Sequence, residues 1–357
     1  MRGIVLVGGE GTRLRPLTFT IPKQMLPVAE VPMIERVVAH LARHGVTDVI
    51  LSLGYRPDAF IAAYPDSRCA GATLTYVVEP EPLDTAGAIR FAATQARVQG
   101  TFLVFNGDVL TDLDITALVA FHREHGGDAT ISLTPVEEPS AFGVVPTAED
   151  GRVEAFIEKP PPGTAPTNLI NAGTYVLEPA VLERIPADRR VNIERETFPA
   201  LVEDRRLYAL ASTGYWLDVG TPERYLTANA DLLDGTRPGP PVAGARERAG
   251  GAWALPGAVV DGKVDGSLIG KDAGVAEEAI VEGAVIGQGA VVGRGAMVRR
   301  SVLLPGARIG EGAEVSESVL GPGSTVGARA RVRGFSVVGA GVAVEADACH
   351  DGARLSA

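Results

Sequence analysis

The chain has 357 residues, 46% hydrophobic and 22% charged, which is the profile of a soluble globular protein with room for one large domain and a smaller one. A formal net charge of -11 argues against a nucleic-acid partner. No apolar run reaches the roughly 18 residues of a membrane-spanning helix, and the two cysteines, Cys69 and Cys349, exclude a disulfide framework and a cysteine-rich zinc site and fit a reducing cytoplasm. In chain order, Met1 to Gly8 is too short and lacks the cleavage site of a signal peptide, and Ile4 to Val7 reads as a buried strand ending in glycines. Pro32 to His44 has helical spacing, Asp48 to Leu53 is a strand, Ala59 to Tyr64 a helix and Leu74 to Val78 a strand. Thr85 to Ala96 is helical, and Thr101 to Phe105 is an apolar run that stops at Asn106-Gly107-Asp108. Such alternation implies an α/β domain with a parallel sheet covered on both faces, whose ligands sit beyond the carboxyl ends of the strands. From Ala129 the pattern is strand-rich (Ala129 to Thr134, Gly143 to Pro146, Val153 to Ile157, Gly173 to Leu177), and helices return at Ile193 to Glu203 and Pro222 to Leu233.

Residues 1–234 therefore read as one domain with a mixed, mainly parallel sheet. Residues 235–256, rich in Gly, Pro and Ala, read as a linker. From 257 to 345 aliphatics recur at nearly six-residue spacing: Ile269, Val275, Val281, Ile286, Val292, Val298, Leu304, Ile309, Val315, Leu320, Val326, Val332 and Val338. This is the hexapeptide period of a parallel β-helix. Disorder would not keep aliphatics in register. Residues 346–357 read as a tail.

The segment Leu6 to Thr18 carries the chemistry. Glycines after a buried strand expose N–H groups to phosphate. Leu14 stands where a dinucleotide fingerprint has its third glycine, and no Gly-Lys-Ser/Thr follows, so neither that motif nor a P-loop is present. Arg13, Arg15 and Lys23 supply charge for a polyphosphate. Asp108 and Asp218 follow apolar strands. Alone they read as a turn residue and a helix cap. None of the five histidines fits a catalytic role. The pairs His40/His44 and His122/His125 lack a third metal ligand, and both read as solvated helix faces.

Gly9-Glu10-Gly11-Thr12-Arg13-Leu14 with Pro16-Leu17-Thr18 and Pro22-Lys23 resembles the sugar-1-phosphate nucleotidyltransferases. The resemblance continues through Glu81 to Gly87, Asn106-Gly107-Asp108, Phe142-Gly143-Val144, Glu158-Lys159-Pro160, Asn171-Ala172-Gly173 and Trp216 to Thr221. It implies a Rossmann-like nucleotidyltransferase domain followed by a left-handed β-helix. It also implies that Leu6, Gly8, Gly9, Gly11, Thr12, Arg13, Glu79, Thr85, Ala86 and Gly107 hold the nucleotide, with Lys23 on phosphate. Gly143, Glu158, Lys159, Asn171 and Gly173 would line the sugar-phosphate pocket, and Asp108 and Asp218 would hold Mg2+. Two departures stand out: Gln24 follows Pro22-Lys23 where proline is usual, and Asp84 replaces a glycine in the base-recognition segment.

The implied reaction is in-line attack of a sugar 1-phosphate on the α-phosphorus of a nucleoside triphosphate. A phosphate with a second pKa of about 6 is already ionised, so no general base is needed. Catalytic work falls to Arg13, Lys23, Asp108 and Asp218. Pro139 to Val145 and Leu169 to Tyr175 look most like mannose-1-phosphate guanylyltransferases, giving GDP-mannose; a thymidylyltransferase making dTDP-glucose, or another NDP-glucose enzyme, is the runner-up. A non-catalytic regulatory subunit should have lost Arg13, Lys23 or an aspartate. An acyltransferase should carry a histidine in its β-helix, and His350 falls in the tail. The β-helix reads as a surface for homo-oligomer formation or regulation.

Overall fold

The computed structural model describes residues 1–187, 189–237 and 241–356. Part of the 235–256 linker (238–240) and the final residue of the 346–357 tail lie outside the described residues. The chain divides into two compact units: Met1–Gly9 with Ile34–Trp216, and Glu10–Met33 with Leu217–Ala357. This division differs from the expected break at 234. The arm Glu10–Met33 and the segment after Trp216 belong with the C-terminal repeat, because their side chains pack on it.

The first unit is built on β1 (Arg2–Val7), β2 (Asp48–Leu53), β3 (Ala72–Val78), β4 (Phe102–Asn106), β5 (Ala129–Pro135), β6 (Gly143–Val144), β7 (Ile157–Glu158), β8 (Leu169–Leu177) and β9 (Leu207–Ala211). The main sheet runs β7-β6-β8-β4-β1-β2-β3, edged by Arg68–Cys69, while β5 joins β8 to β9. Strands β4, β1, β2 and β3 are mutually parallel, and β8 runs antiparallel to β4. The sheet is therefore mixed. Its central parallel strands β1, β2 and β4 are mostly apolar and buried, as cover on both faces demands; Ile4, Ile50, Phe102 and Val104 share one core with Ala86, Ile89 and Ala92 of the helix at Asp84–Gln95.

Two expectations change here. The strand expected at Val153 to Ile157 shrinks to Ile157–Glu158, with Val153 making one bridge to Thr147. The helix Ile115–His125 is capped by Asp114, whose carboxylate accepts from the Ala117 N–H, and stops at Gly126 with φ 62°. The two histidine pairs are not solvated. His122 is buried between the Thr130 hydroxyl (2.8 Å) and the Glu178 carboxylate (3.1 Å), which supply its hydrogen bonds. His40 is buried against Phe105, and His44 and His125 are half-buried.

In the second unit the repeat winds as three stacks of parallel strands, the arrangement of a left-handed β-helix. The inward ladders run Ile269, Ile286, Leu303, Leu320, Val338; Val275, Val292, Ile309, Val326, Val344; and Val281, Val298, Val315, Val332, His350. Leu303, not Leu304, holds the inward position, because most coils take 17 residues rather than three full hexads. The stack also outruns its expected ends of 257 and 345. Ala252–Ala254 pairs with the first coil, Arg246–Arg248 folds back on it antiparallel, and Cys349–Asp351 and Arg354–Leu355 complete the last coil. His350 thus sits inside the repeat rather than in a tail.

Candidate active site

In the first unit, the carboxyl ends of β1, β2, β3 and β4 bring expected nucleotide residues together. A side chain on Gly54 would lie 3.1 Å from the Gly8 Cα, and one on Gly8 would meet Glu79 Oε1 at 3.4 Å, so the strand ends close on one another through missing side chains. Glu79 accepts hydrogen bonds from the Ser52 hydroxyl (3.1 Å) and the Leu83 N–H (3.3 Å). Burial nevertheless raises its pKa above the ordinary carboxylate value. Gly107 donates its N–H to the Leu6 carbonyl (3.0 Å), and an added Cβ there would approach that oxygen to 2.8 Å. Only glycine lets the chain turn this tightly and leave Asp108 at the rim.

Asp84 takes φ 61°, in the left-handed region that favours glycine. Its carboxylate Oδ1 accepts from its neighbour's Thr85 N–H (2.7 Å) and from Asn192 Nδ2 (3.0 Å). The Thr85 hydroxyl accepts from the Ile193 N–H, and the Ala86 N–H donates to the Val191 carbonyl, each at 2.9 Å. These two expected nucleotide residues therefore spend those groups on fastening segment 191–193.

The expected sugar residues also converge within the first unit. The register of β8 against β5 shifts between Asn171 and Tyr175, and a bulge of this kind re-aims side chains. Gly173 within it has φ 76°, where a Cβ would strike the Asn106 amide at 2.6 Å. Trp216 Nε1 donates to the Ala172 carbonyl (2.8 Å), and its ring meets Phe142 edge-on at 5.6 Å. Gly143 pairs with Glu158 across β6 and β7, and Lys159, exposed at φ 50°, places its ammonium 3.4 Å from Glu158 Oε1. Glu158 Oε2 is buried with no hydrogen-bond partner among the described residues.

Residues not expected from the sequence complete this pocket. Glu194 lies on a single π-helical turn, Ile193–Thr197, whose cap Asn192 accepts from the Glu194 and Arg195 N–H groups at 3.0 Å each. Asn171 Nδ2 donates to Glu194 Oε1 (2.7 Å) and to the Tyr175 hydroxyl (2.9 Å). Burial, then the nearby Glu158 charge, raises the Glu194 pKa. The capping asparagine followed by acidic residues was the legible signal; the inward aim of Glu194 was not.

In the second unit, the loop at Gly11 (φ 63°) opens a short 3-10 turn, Thr12–Leu14, that leaves Thr12 and Arg13 exposed. A Cβ on Gly11 would meet Thr18 at 2.9 Å and Lys23 at 3.0 Å. Lys23 is 5% exposed, with its ammonium 3.9 Å from Asp218 Oδ1; Arg224 approaches the same carboxylate at 3.4 Å. A Cβ on Gly220 would fall 2.5 Å from Arg13 Nη2, so the guanidinium lies against bare backbone. Arg13, Lys23, Asp218 and Arg224 thus form one cluster, rich in the donors that phosphate oxygens take. Gln24 is buried beside Lys23 in the same 3-10 turn, so replacing the usual proline leaves the lysine in place.

The chain belongs to the nucleotidyl transferase family, whose model matches residues 2–235, and the strand-end glycines and the cationic cluster at Arg13 and Lys23 suit the phosphate-rich substrates of that class. A second model, the GMPPB C-terminal domain, matches residues 264–355. The chain is 44% identical over 275 residues to a mannose-1-phosphate guanylyltransferase of Mycobacterium tuberculosis, covering 76% of this chain and 75% of that protein. A mannose-1-phosphate guanyltransferase of Schizosaccharomyces pombe is 43% identical, covering 66% of each chain. Among solved structures, HddC of Yersinia pseudotuberculosis superposes with a TM-score of 0.56 at 31% identity, over 64% of this chain and 98% of its own.

Proposed function

We propose that the protein transfers a guanylyl group from GTP to mannose 1-phosphate, releasing pyrophosphate and GDP-mannose. The observation that carries this reading is the 44% identity over 275 residues, 76% of this chain, to a mannose-1-phosphate guanylyltransferase. The side chains support it. Lys23 and Arg13 offer donors to the triphosphate, and Lys159 offers an ammonium to the incoming sugar phosphate. The nucleophile is an already ionised phosphate oxygen. It attacks the α-phosphorus, the bond to the β-phosphate oxygen breaks, and pyrophosphate departs without a general base. Positioning and charge neutralisation supply the rate.

Asp108 and Asp218 would hold magnesium. Two carboxylates fit a hard cation that takes its remaining ligands from phosphates and water, and Asp218 sits among the phosphate-directed cations Lys23 and Arg224. When bound, the ion neutralises triphosphate charge. The cytoplasm is the proposed compartment, in keeping with Cys69 and Cys349 as free thiols. No helix among the described residues is long and apolar enough to cross a membrane. The proposed assembly is a homo-oligomer formed through the β-helix, whose end strands carry open edges.

The test is pyrophosphate release with GTP, dTTP, UTP and ATP, each against mannose 1-phosphate and glucose 1-phosphate. GTP with mannose 1-phosphate should dominate; dominant use of dTTP with glucose 1-phosphate would overturn the reading. Asp108→Asn should lower kcat by about a hundredfold or more, with substrate-free melting unchanged.

A further inference from the structure

Strand β8 leaves its ladder with β5 for a few residues, and the gap is polar. Asn171 pairs with Leu133 and Tyr175 with Ile131, so Ala172, Gly173 and Thr174 stand opposite the single residue Ser132. Such an irregularity takes backbone groups away from their strand partners. Two of them are satisfied locally: the Ala172 carbonyl accepts from Trp216 Nε1 at 2.8 Å, and the Gly173 N–H donates to Asn171 Oδ1 at 3.0 Å. Beside them lies a cavity of about 10 Å³, the room that one water molecule takes. Thr111, Ser132, Thr134, Thr174 and Ser212 line it together with Trp216. Ser132 is 0% and Thr174 1% exposed, and neither Ser132 Oγ nor Thr174 Oγ1 has a hydrogen-bond partner among the described residues. Two buried hydroxyls on one small cavity call for a ligand that can both donate and accept. None of the described residues lining the cavity is charged, so an ion there would have nothing to balance it, and a neutral ligand fits.

We propose that this cavity binds one water molecule, hydrogen-bonded to Ser132 Oγ and Thr174 Oγ1, and that the water plugs the bulge and fixes the path of β8 through Asn171 and Gly173. Thr111 and Ser212 offer further partners. Each hydroxyl accepts one N–H, from Leu113 at 3.1 Å and from Gly214 at 3.2 Å, and a hydroxyl that accepts once still has a hydrogen and a lone pair. A water with two to four such partners is a fixed part of a protein. The bulge is then held from two sides, by the Trp216 indole on the Ala172 carbonyl and by the water on the hydroxyls of β5 and β8. The consequence for substrate rests on the nucleotidyl transfer proposed above, in which Asn171 and Gly173 line the sugar-phosphate pocket. Ser132 and Thr174 are positioning residues for that pocket.

The experiment compares wild type with Thr174→Val, which keeps the shape of the side chain and removes its hydroxyl. Loss of a water-bonded hydroxyl should lower the melting temperature by about 2–4 °C. It should also raise the KM for the hexose 1-phosphate about threefold or more while the KM for GTP stays within about twofold. An unchanged or higher melting temperature would overturn the proposal, because removing a hydroxyl that bonds nothing relieves a cost. Ser132→Ala should act in the same direction. The double variant should lose less than the sum of the two, since both side chains act through one water; a full sum would overturn the shared ligand. A lower melting temperature with both KM values unmoved would overturn the positioning role. A crystal structure of the wild type should show one ordered water within about 3 Å of both oxygens, and either hydroxyl bonded to protein instead would overturn the site. A wild-type enzyme that prefers another substrate pair sinks the GDP-mannose reading alone; the KM comparison is then made with the hexose 1-phosphate turned over fastest.

Discussion

Asp84 shows how a departure from a motif is accommodated. Aspartate is among the few residues that tolerate the left-handed region, because its short side chain satisfies local N–H groups. Here it bonds its own neighbour's N–H and a side chain 108 positions away, so the backbone of the base segment survives the loss of its glycine. His40 is a residue with a thermodynamic signature. Burial, with the nearby cations His44 and Arg43, lowers its pKa from 6.5 to about 4. The unfolded chain binds a proton below pH 6.5 that the folded chain refuses until about pH 4, so stability falls as the pH drops through that window. His40 should account for about 2 kcal/mol of the loss between pH 7 and pH 5. Urea midpoints at the two pH values for wild type and His40→Leu test this; equal pH slopes would show that His40 is not the titrating group.

At the scale of elements, what was legible was whatever carries its own period or punctuation. Asp48–Leu53 and Pro222–Leu233 coincide with their expected bounds because each is a clean apolar pattern between turn residues. Val153 to Ile157 looked like a strand, but residues there make bridges at the sheet margin instead of pairing continuously, and local pattern does not encode partners. Segment 246–254 looked like linker because its strands take their stability from stacking on the first coil, not from composition. The expected nucleotide glycines and the two aspartates stand out in the sequence as strand-end punctuation, whereas Glu194 was hidden because its placement depends on a bulge and a π turn. The β-helix pattern also makes a quantitative claim. Ile286 is fully buried, stacked between Ile269 and Leu303. Ile286→Ala should cost about 3 kcal/mol by lost transfer energy plus a cavity. A denaturant curve shifted by less than about 1 kcal/mol would mean that the coil collapses to fill the gap.

At the scale of the whole molecule, the repeat braces the arm Glu10–Met33, which carries the proposed phosphate ligands Arg13 and Lys23. The first coils present a second buried face outside the helical core. Leu268, Val285, Val302, Val319 and Val337 are nearly inaccessible, although strand alternation points them away from the inward ladder. Val285 and Val302 line a cleft of about 190 Å³ with Leu226, Thr227 and Ala230 of the helix that follows Asp218. That helix holds the arm: Asn229 Oδ1 accepts from the Ala29 N–H (2.8 Å), and the Tyr225 hydroxyl donates to the Pro27 carbonyl. The arm also touches the coils directly, where Glu30 accepts from the Gln288 N–H (3.1 Å) and Pro16 lies against Gly339. Arg13 and Lys23 are thus carried on a segment braced by the repeat. Ending the chain at Leu233 should do more than remove the proposed association surface. It should lower kcat/KM by at least about tenfold, because loosely held phosphate ligands lose their orientation, and it should lower the melting temperature as the covered helix face meets water. The comparison is made on purified truncated and full-length chains by pyrophosphate release and thermal unfolding. A truncated monomer with full-length turnover would show that the arm holds its shape unaided and that the repeat serves association alone.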